Sequence, residues 1–109
     1  MLRWLYHVLP AGDDVGDPYT PASLLREGFV HCSFIDRVVQ SARLYFPRDA
    51  LLTVLQIDPR GLDVRVVATP RGPMPHVHQA IPRSAVVRRW TIDQLRAAPD
   101  EVGGLDGSG

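Results

Sequence analysis

The chain has no lysine and no asparagine, one cysteine, and only two glutamates, Glu27 and Glu101. All 12 basic residues are therefore arginines. These gaps exclude a Schiff-base lysine, a phosphate-loop lysine and an asparagine-built oxyanion hole. A lone Cys32 cannot form an internal disulfide, which places the chain by default in a reducing cytoplasm. The 12 acidic residues balance the basic ones to a formal charge of +0, which argues against general nucleic-acid or membrane-surface binding, since both usually need a basic excess. No apolar run approaches the ~18–20 residues of a membrane span. The opening MLRWLYHVLP is too short for a signal peptide and lacks a small-residue cleavage site.

What is present is 109 residues with 45% hydrophobic side chains. That is enough for one compact domain with its own core and no disulfide or structural metal. Residues 4–9 combine β-formers and end at Pro10, so they read as a strand. Thr20 followed by Pro21 predicts a capped helix over 21–27, stopped by Gly28 in the left-handed region. Residues 29–32 form a brief strand. Ser33 then reads as the cap of a helix over 35–45, ended by Pro47. Residues 51–57 are nearly all apolar and predict a central strand. A turn at 58–61 leads to a strand over 64–68, and the two Gly/Pro pairs in 69–75 predict a loop. A short extended piece over 77–81 and a strand over 84–90 follow, then a small helix to residue 97 capped by Thr91. Residues 1–97 are the expected single domain, and 98–109, polar and rich in glycine, the expected flexible tail. Strands and helices do not alternate as in a doubly wound sheet. The expected class is α+β, with small mixed or antiparallel split sheets and two to three short helices.

The chemistry-bearing residues are His7, His31, His76 and His78, three of them on or beside expected strands. Each alone is better explained as a core or loop histidine satisfied by a backbone carbonyl than as a ligand contact, and their recurrence on strands or strand ends is what points to a shared cleft. On an extended strand His76 and His78 share a face, and with His7 or His31 they would suit zinc, but no carboxylate lies beside them and no metal is expected. Cys32 should point away from the face of its neighbour His31. Ser33 and Cys32 read as a helix cap and a small buried hydrophobe rather than nucleophiles. The chain has no Gly-x-Ser-x-Gly, Cys-x-x-Cys, phosphate-loop or dinucleotide glycine pattern. Arg26, Arg37, Arg43 and Arg48 read as solvated. Arg65, Arg71 and the pair Arg88-Arg89 could reach a phosphate, for which a guanidinium fork is suited.

Leu5-Tyr6-His7-Val8, the run from Ser23 through Glu27-Gly28-Phe29-Val30-His31-Cys32-Ser33, the strand from Leu52 to Asp58, and Met74-Pro75-His76 together resemble the domain of unknown function 952 family, over residues 4–90. The resemblance implies an ADP-ribosyltransferase-like fold, in which two small sheets pack around a split cleft that holds NAD. It implies His7, His31 and His76 as catalytic residues lining that cleft, with His7 on the NAD ribose. Tyr6, Ser33, Arg65, Arg71 and His78 join His7 as expected cofactor contacts, and the expected partner is a small nucleotide. The family's Pro-His-x-Tyr-Gly-Pro continues here as Pro75-His76-Val77-His78-Gln79-Ala80, so His78 stands in the tyrosine's place. The late-strand glutamate of many ADP-ribosyltransferases has no counterpart: Glu27 reads as capping the first helix and Glu101 falls in the tail. What remains is glutamate-independent transfer or NAD cleavage, as in RNA 2′-phosphotransferases of the same fold. The alternative is a non-catalytic nucleotide-binding accessory module, with a histidine-based metal-dependent hydrolase ranked below it. In the simplest scheme nicotinamide leaves dissociatively, His7 bonds a ribose hydroxyl, His31 and His76 position the nucleotide or shuttle a proton, and Arg65 or Arg71 meets the diphosphate. On that scheme His7→Ala abolishes ligand-induced stabilisation and leaves the fold intact.

Overall fold

Side-chain alternation along the first strand already separates two cores. In the computed structural model, which describes residues 2–102, β1 spans Leu5–Pro10. Leu5 and Leu9 join an apolar cluster with Val30, Leu55, Ile57, Val77 and Ile81. Tyr6, one residue out of phase, joins a second cluster with Trp4, Val38, Val54, Trp90 and Leu95. β1 pairs antiparallel with β3 (Leu52–Ile57), and β3 with β6 (Val86–Trp90). A second antiparallel sheet has the order β2-β5-β4, from Val30–His31, Gly72–Val77 and Val64–Thr69. The chain is α+β with two small three-stranded antiparallel sheets. The first cluster lies between them. The second lies on the other side of the β1-β3-β6 sheet, where α2 (Val38–Tyr45) and a 3-10 helix (Ile92–Ala97) contribute Val38, Ile92 and Leu95. Among the described residues no helix is long and apolar enough to cross a membrane.

The two sheets meet where Ser33 continues from β2 and exchanges backbone hydrogen bonds with Tyr6, 2.7 and 2.8 Å. This corrects the cap expected at Ser33. Its backbone is still in strand pairing, its buried hydroxyl shares a 3.0 Å hydrogen bond with Ser41, and α2 starts later, at Val38, with no side-chain cap. Thr20 caps nothing either. Its hydroxyl donates to the Pro18 carbonyl, and α1 (Ala22–Glu27) has Pro21 as its N-cap. Gly28 does end α1 in the left-handed region, at φ 87°, with its N–H on the Leu24 carbonyl. Thr91 does cap, reciprocally with Gln94, although the helix it opens is 3-10.

The loop expected over 69–75 is mostly strand. Thr69 Oγ1 donates to the Gly72 carbonyl at 2.7 Å and accepts the Arg71 N–H, closing a two-residue turn, and Gly72 takes φ 99°. Prolines in a middle strand should break a ladder. Here Cys32 N–H donates to the Pro75 carbonyl, so the backbone of Pro75 faces β2 rather than β4. Pro73 shares that phase and lies beyond the end of the two-residue β2. Neither missing donor points at β4, so the β4–β5 register runs unbroken from Val64–Val77 to Thr69–Gly72.

The tail expected from residue 98 is packed as far as Val102. Trp4 N–H donates to Asp100, Tyr6 Oη donates to the Pro99 carbonyl, Arg3 pairs with Asp100, and Val102 is buried. The remainder of that expectation, 103–109, lies outside the described residues. Ending the chain after Ala97 is expected to lower unfolding stability by about 2–4 kcal/mol in urea titration. Burying a valine contributes about 1.5–3 kcal/mol, and the Tyr6 hydroxyl would lose its acceptor, about 1 kcal/mol more. An unchanged midpoint would return the domain boundary to residue 97.

Candidate functional site

Strand register builds a row of polar residues across the second sheet. His31 on β2 is opposite His76 on β5, and His76 is opposite Arg65 on β4. Alternate residues share a face, so Phe29 and His78 lie beside this row, and His78 N–H donates to the Asp63 carbonyl. Val30 and Val77, in the opposite phase, go to the core. Cys32, also out of phase with exposed His31, is buried, and burial pushes its thiol up to about 12, leaving it unreactive.

Phe29 sits at the centre of the imidazoles. Its ring stacks on His76 at 4.1 Å between centroids, meets His31 edge-on at 4.7 Å and approaches His78 at 5.4 Å. His31 and His76 are themselves 5.4 Å apart. His31 Nε2 is 2.8 Å from Glu27 Oε2. Glu27 is the last residue of α1, and the left-handed turn at Gly28 swings β2 back beneath it. His76 is held below the usual histidine range, first by burial, then by the neighbouring His31 and His78, with Glu27 opposing. Arg65 makes a two-point contact with Asp63, 3.2 and 3.1 Å, on the exposed surface.

His7 is not on this face. It points between the sheets, where Nδ1 is 2.6 Å from the His31 carbonyl and Nε2 is 2.8 Å from Tyr19 Oη. A carbonyl only accepts, so Nδ1 carries the proton and Tyr19 donates to Nε2. Both ring nitrogens are thus engaged by the protein, and burial holds this histidine below its usual range. His7 supports the backbone of His31 from behind, and the expected ribose contact is corrected to that positioning role.

The structure therefore brings together His31, His76, His78 and Arg65, and separates the other expected contacts from them. Tyr6 is fully buried in the second core, and Ser33 is buried against Ser41. Arg71 lies at the β4–β5 turn, donating to Tyr45 Oη at 3.2 Å; at five residues of strand it is about 16 Å along from His76. Arg88 lies over the Trp90 ring at 3.8 Å, on the first sheet. Sequence reasoning missed Glu27, Phe29 and Asp63. The signal for Phe29 and Asp63 was parity, two residues from His31 and Arg65 respectively. For Glu27 it was the four-residue spacing across Gly28.

Among the described residues no one cleft collects the four histidines: His31, His76 and His78 stand on the sheet face and His7 lies between the sheets. A groove of about 700 Å³ lies elsewhere, lined by residues including Ala42, Phe46, Leu51 and Thr91, with no histidine in its wall. Among the described residues, no three histidine, cysteine, aspartate or glutamate side chains are grouped to hold a metal ion.

Among curated protein sequences none matches this chain. Two solved structures do: protein CC0527 of Caulobacter crescentus and a double mutant of it. Each is 23% identical with a TM-score of 0.70, covering 81% of this chain and 84% of the other. At that identity the likeness carries the fold. Residues 12–89, which hold the second sheet and every member of its histidine face, match the family described as Protein of unknown function (DUF952), and the chain belongs to that family.

Proposed function

We propose that the open face of the second sheet binds NAD or a related nucleotide, in an ADP-ribosyltransferase-like arrangement of two small sheets. The observation that carries this reading is the cross-sheet row His31–His76–Arg65. Two imidazoles present donors and acceptors for ribose hydroxyls, and next to them a guanidinium can turn its remaining N–H groups to a phosphate. His78, in the position of the family's tyrosine, adds a third imidazole. Phe29 fixes the rings against one another, so a ligand meets them already ordered. The inert, buried Cys32 fits a reducing cytoplasm.

NAD or ADP-ribose at tenfold its dissociation constant is expected to add about 1.4 kcal/mol of stability, a rise of several degrees in Tm for a domain of this size. His76→Ala and Arg65→Ala should weaken binding at least tenfold, whereas Arg71→Ala should leave it unchanged. Absence of any shift at millimolar ligand would remove the nucleotide from this face. A transfer or NAD-cleaving activity predicts nicotinamide release over hours, and a binding-only accessory module predicts none.

A further inference from the structure

Loss of nicotinamide from a ribose releases a neutral ring and requires no proton at the leaving atom. The histidine face holds more than that scheme uses. Glu27 engages one nitrogen of His31 and leaves Nδ1 for a substrate. Among the described residues no protein hydrogen bond reaches either ring nitrogen of His76, which is oriented by its stack on Phe29. Two imidazoles 5.4 Å apart, one backed by a carboxylate and one without a hydrogen-bond partner, form an acid and a base that can act on a single substrate. Displacement of one oxygen by another at phosphorus needs that pair, because a proton must leave the nucleophile and another must reach the leaving group.

We infer that this face cleaves a nucleoside phosphodiester, with His76 as general base and His31 as general acid. A water oxygen bonds to phosphorus and passes its proton to a ring nitrogen of His76. The bond from phosphorus to a ribose oxygen breaks, and that oxygen takes the Nδ1 proton of His31. One water is added, the diester becomes a monoester, and solvent returns both rings to their starting states. Glu27 acts through His31, holding the ring and pairing with it while it carries the proton. Arg65, across the strand from His76, faces the phosphate. A nucleoside 2′,3′-cyclic phosphate offers such a diester with its leaving oxygen on the same ribose, compact enough for an open surface. The inference rests on the nucleotide-binding reading above and names its reaction.

The groups facing His76 are Glu27 from the end of α1, His31 from β2, His78 from β5 itself, and Arg65 with its partner Asp63 from β4 and the chain before it. With one proton taken and one given, the activity should show a bell-shaped dependence on pH. The test incubates the full, untagged chain with adenosine 2′,3′-cyclic phosphate, follows the monophosphate by phosphorus NMR, and measures Tm with the same compound. The expected result is turnover that falls about 10²–10⁴-fold in His31→Ala and in His76→Ala. Glu27→Gln should lower kcat with KM unchanged and move the limb of the pH profile that reports the acid. His76→Gln serves if the alanine variant does not fold. Monophosphate formed equally by the histidine variants would overturn the inference. So would no product above the protein-free control while the compound still raises Tm; nucleotide binding would then stand alone. No product and no Tm shift would end both readings.

Discussion

His7→Ala is expected to destabilise the fold by about 3–5 kcal/mol, with nucleotide binding reduced less than in His76→Ala once the variant is folded. The ring lies between the sheets, donating from Nδ1 to the His31 carbonyl and accepting from Tyr19 at Nε2. Its removal leaves a buried hydroxyl and a partly buried carbonyl without partners, the first costing about 1–3 kcal/mol and the second less. It also opens a cavity, and large-to-small changes in cores cost about 2–5 kcal/mol. Relaxation and entry of water offset part of that sum. Domains have about 5–15 kcal/mol in all, so the loss should be visible as a large fall in the urea midpoint. Tyr19→Phe, which removes only the donor to Nε2, should cost nearer 1 kcal/mol. A His7→Ala protein with the parent's midpoint, and with nucleotide binding abolished, would restore the direct ribose contact implied by the family resemblance.

That contrast shows which part of the site was legible in the sequence. Neighbours on a strand face opposite ways, so Tyr6 and His7 could not both face one ligand, and parity alone sends one to each core. The same rule paired His76 with His78 and separated His31 from Cys32. Ser33 shares parity with His31, and only α2, through Ser41, buries it; that contact is tertiary and leaves no local trace. Gly28, the apolar strand ending at Ile57 and a cap at Thr91 were legible because local chemistry decides each of them, whereas Gln94 as the partner of Thr91 was not read. β5 was not, because the glycine and prolines of 72–75 signal a loop unless the neighbouring strand is known to stop short of Pro73. Glu27 read as a helix cap because its partner lies four residues on, past a turn whose direction depends on the left-handed φ of Gly28. Val102 was assigned to a tail by the composition around it, while it is buried in the cluster of Trp4 and Tyr6 at the far end of the chain, where the Leu2 carbonyl accepts its N–H.

Stability is expected to decline as pH falls below about 6.5, the ordinary histidine value. His7 is the main cause. Burial lowers its pKa, the nearby His31 lowers it further, and the hydrogen bond to the His31 carbonyl opposes both without overcoming them. The unfolded chain takes up the proton near pH 6.5, whereas the folded chain resists it until a lower pH. The contribution is therefore complete above about 6.5 and is lost as pH falls toward the folded value, with a slope of up to about 1.4 kcal/mol per pH unit. His76 is lowered in the same direction and adds to the slope, though less, because solvent reaches its ring. Asp58, lowered chiefly by its hydrogen bonds to Arg60, titrates in a separate window below about 3.9 and does not contribute between pH 7 and 5. The chemistry behind the His7 effect is specific: an imidazolium has no lone pair left for the Tyr19 O–H, so on protonation the hydroxyl must turn to accept and its own buried proton loses this partner. His7→Gln, whose amide can donate and accept without titrating, should remove most of the slope even if it lowers stability at pH 8. Urea titrations at half-unit steps from pH 8 to 5 check this directly, and a parent curve as flat as that of the glutamine variant would mean that folding leaves the His7 pKa where it is in the unfolded chain.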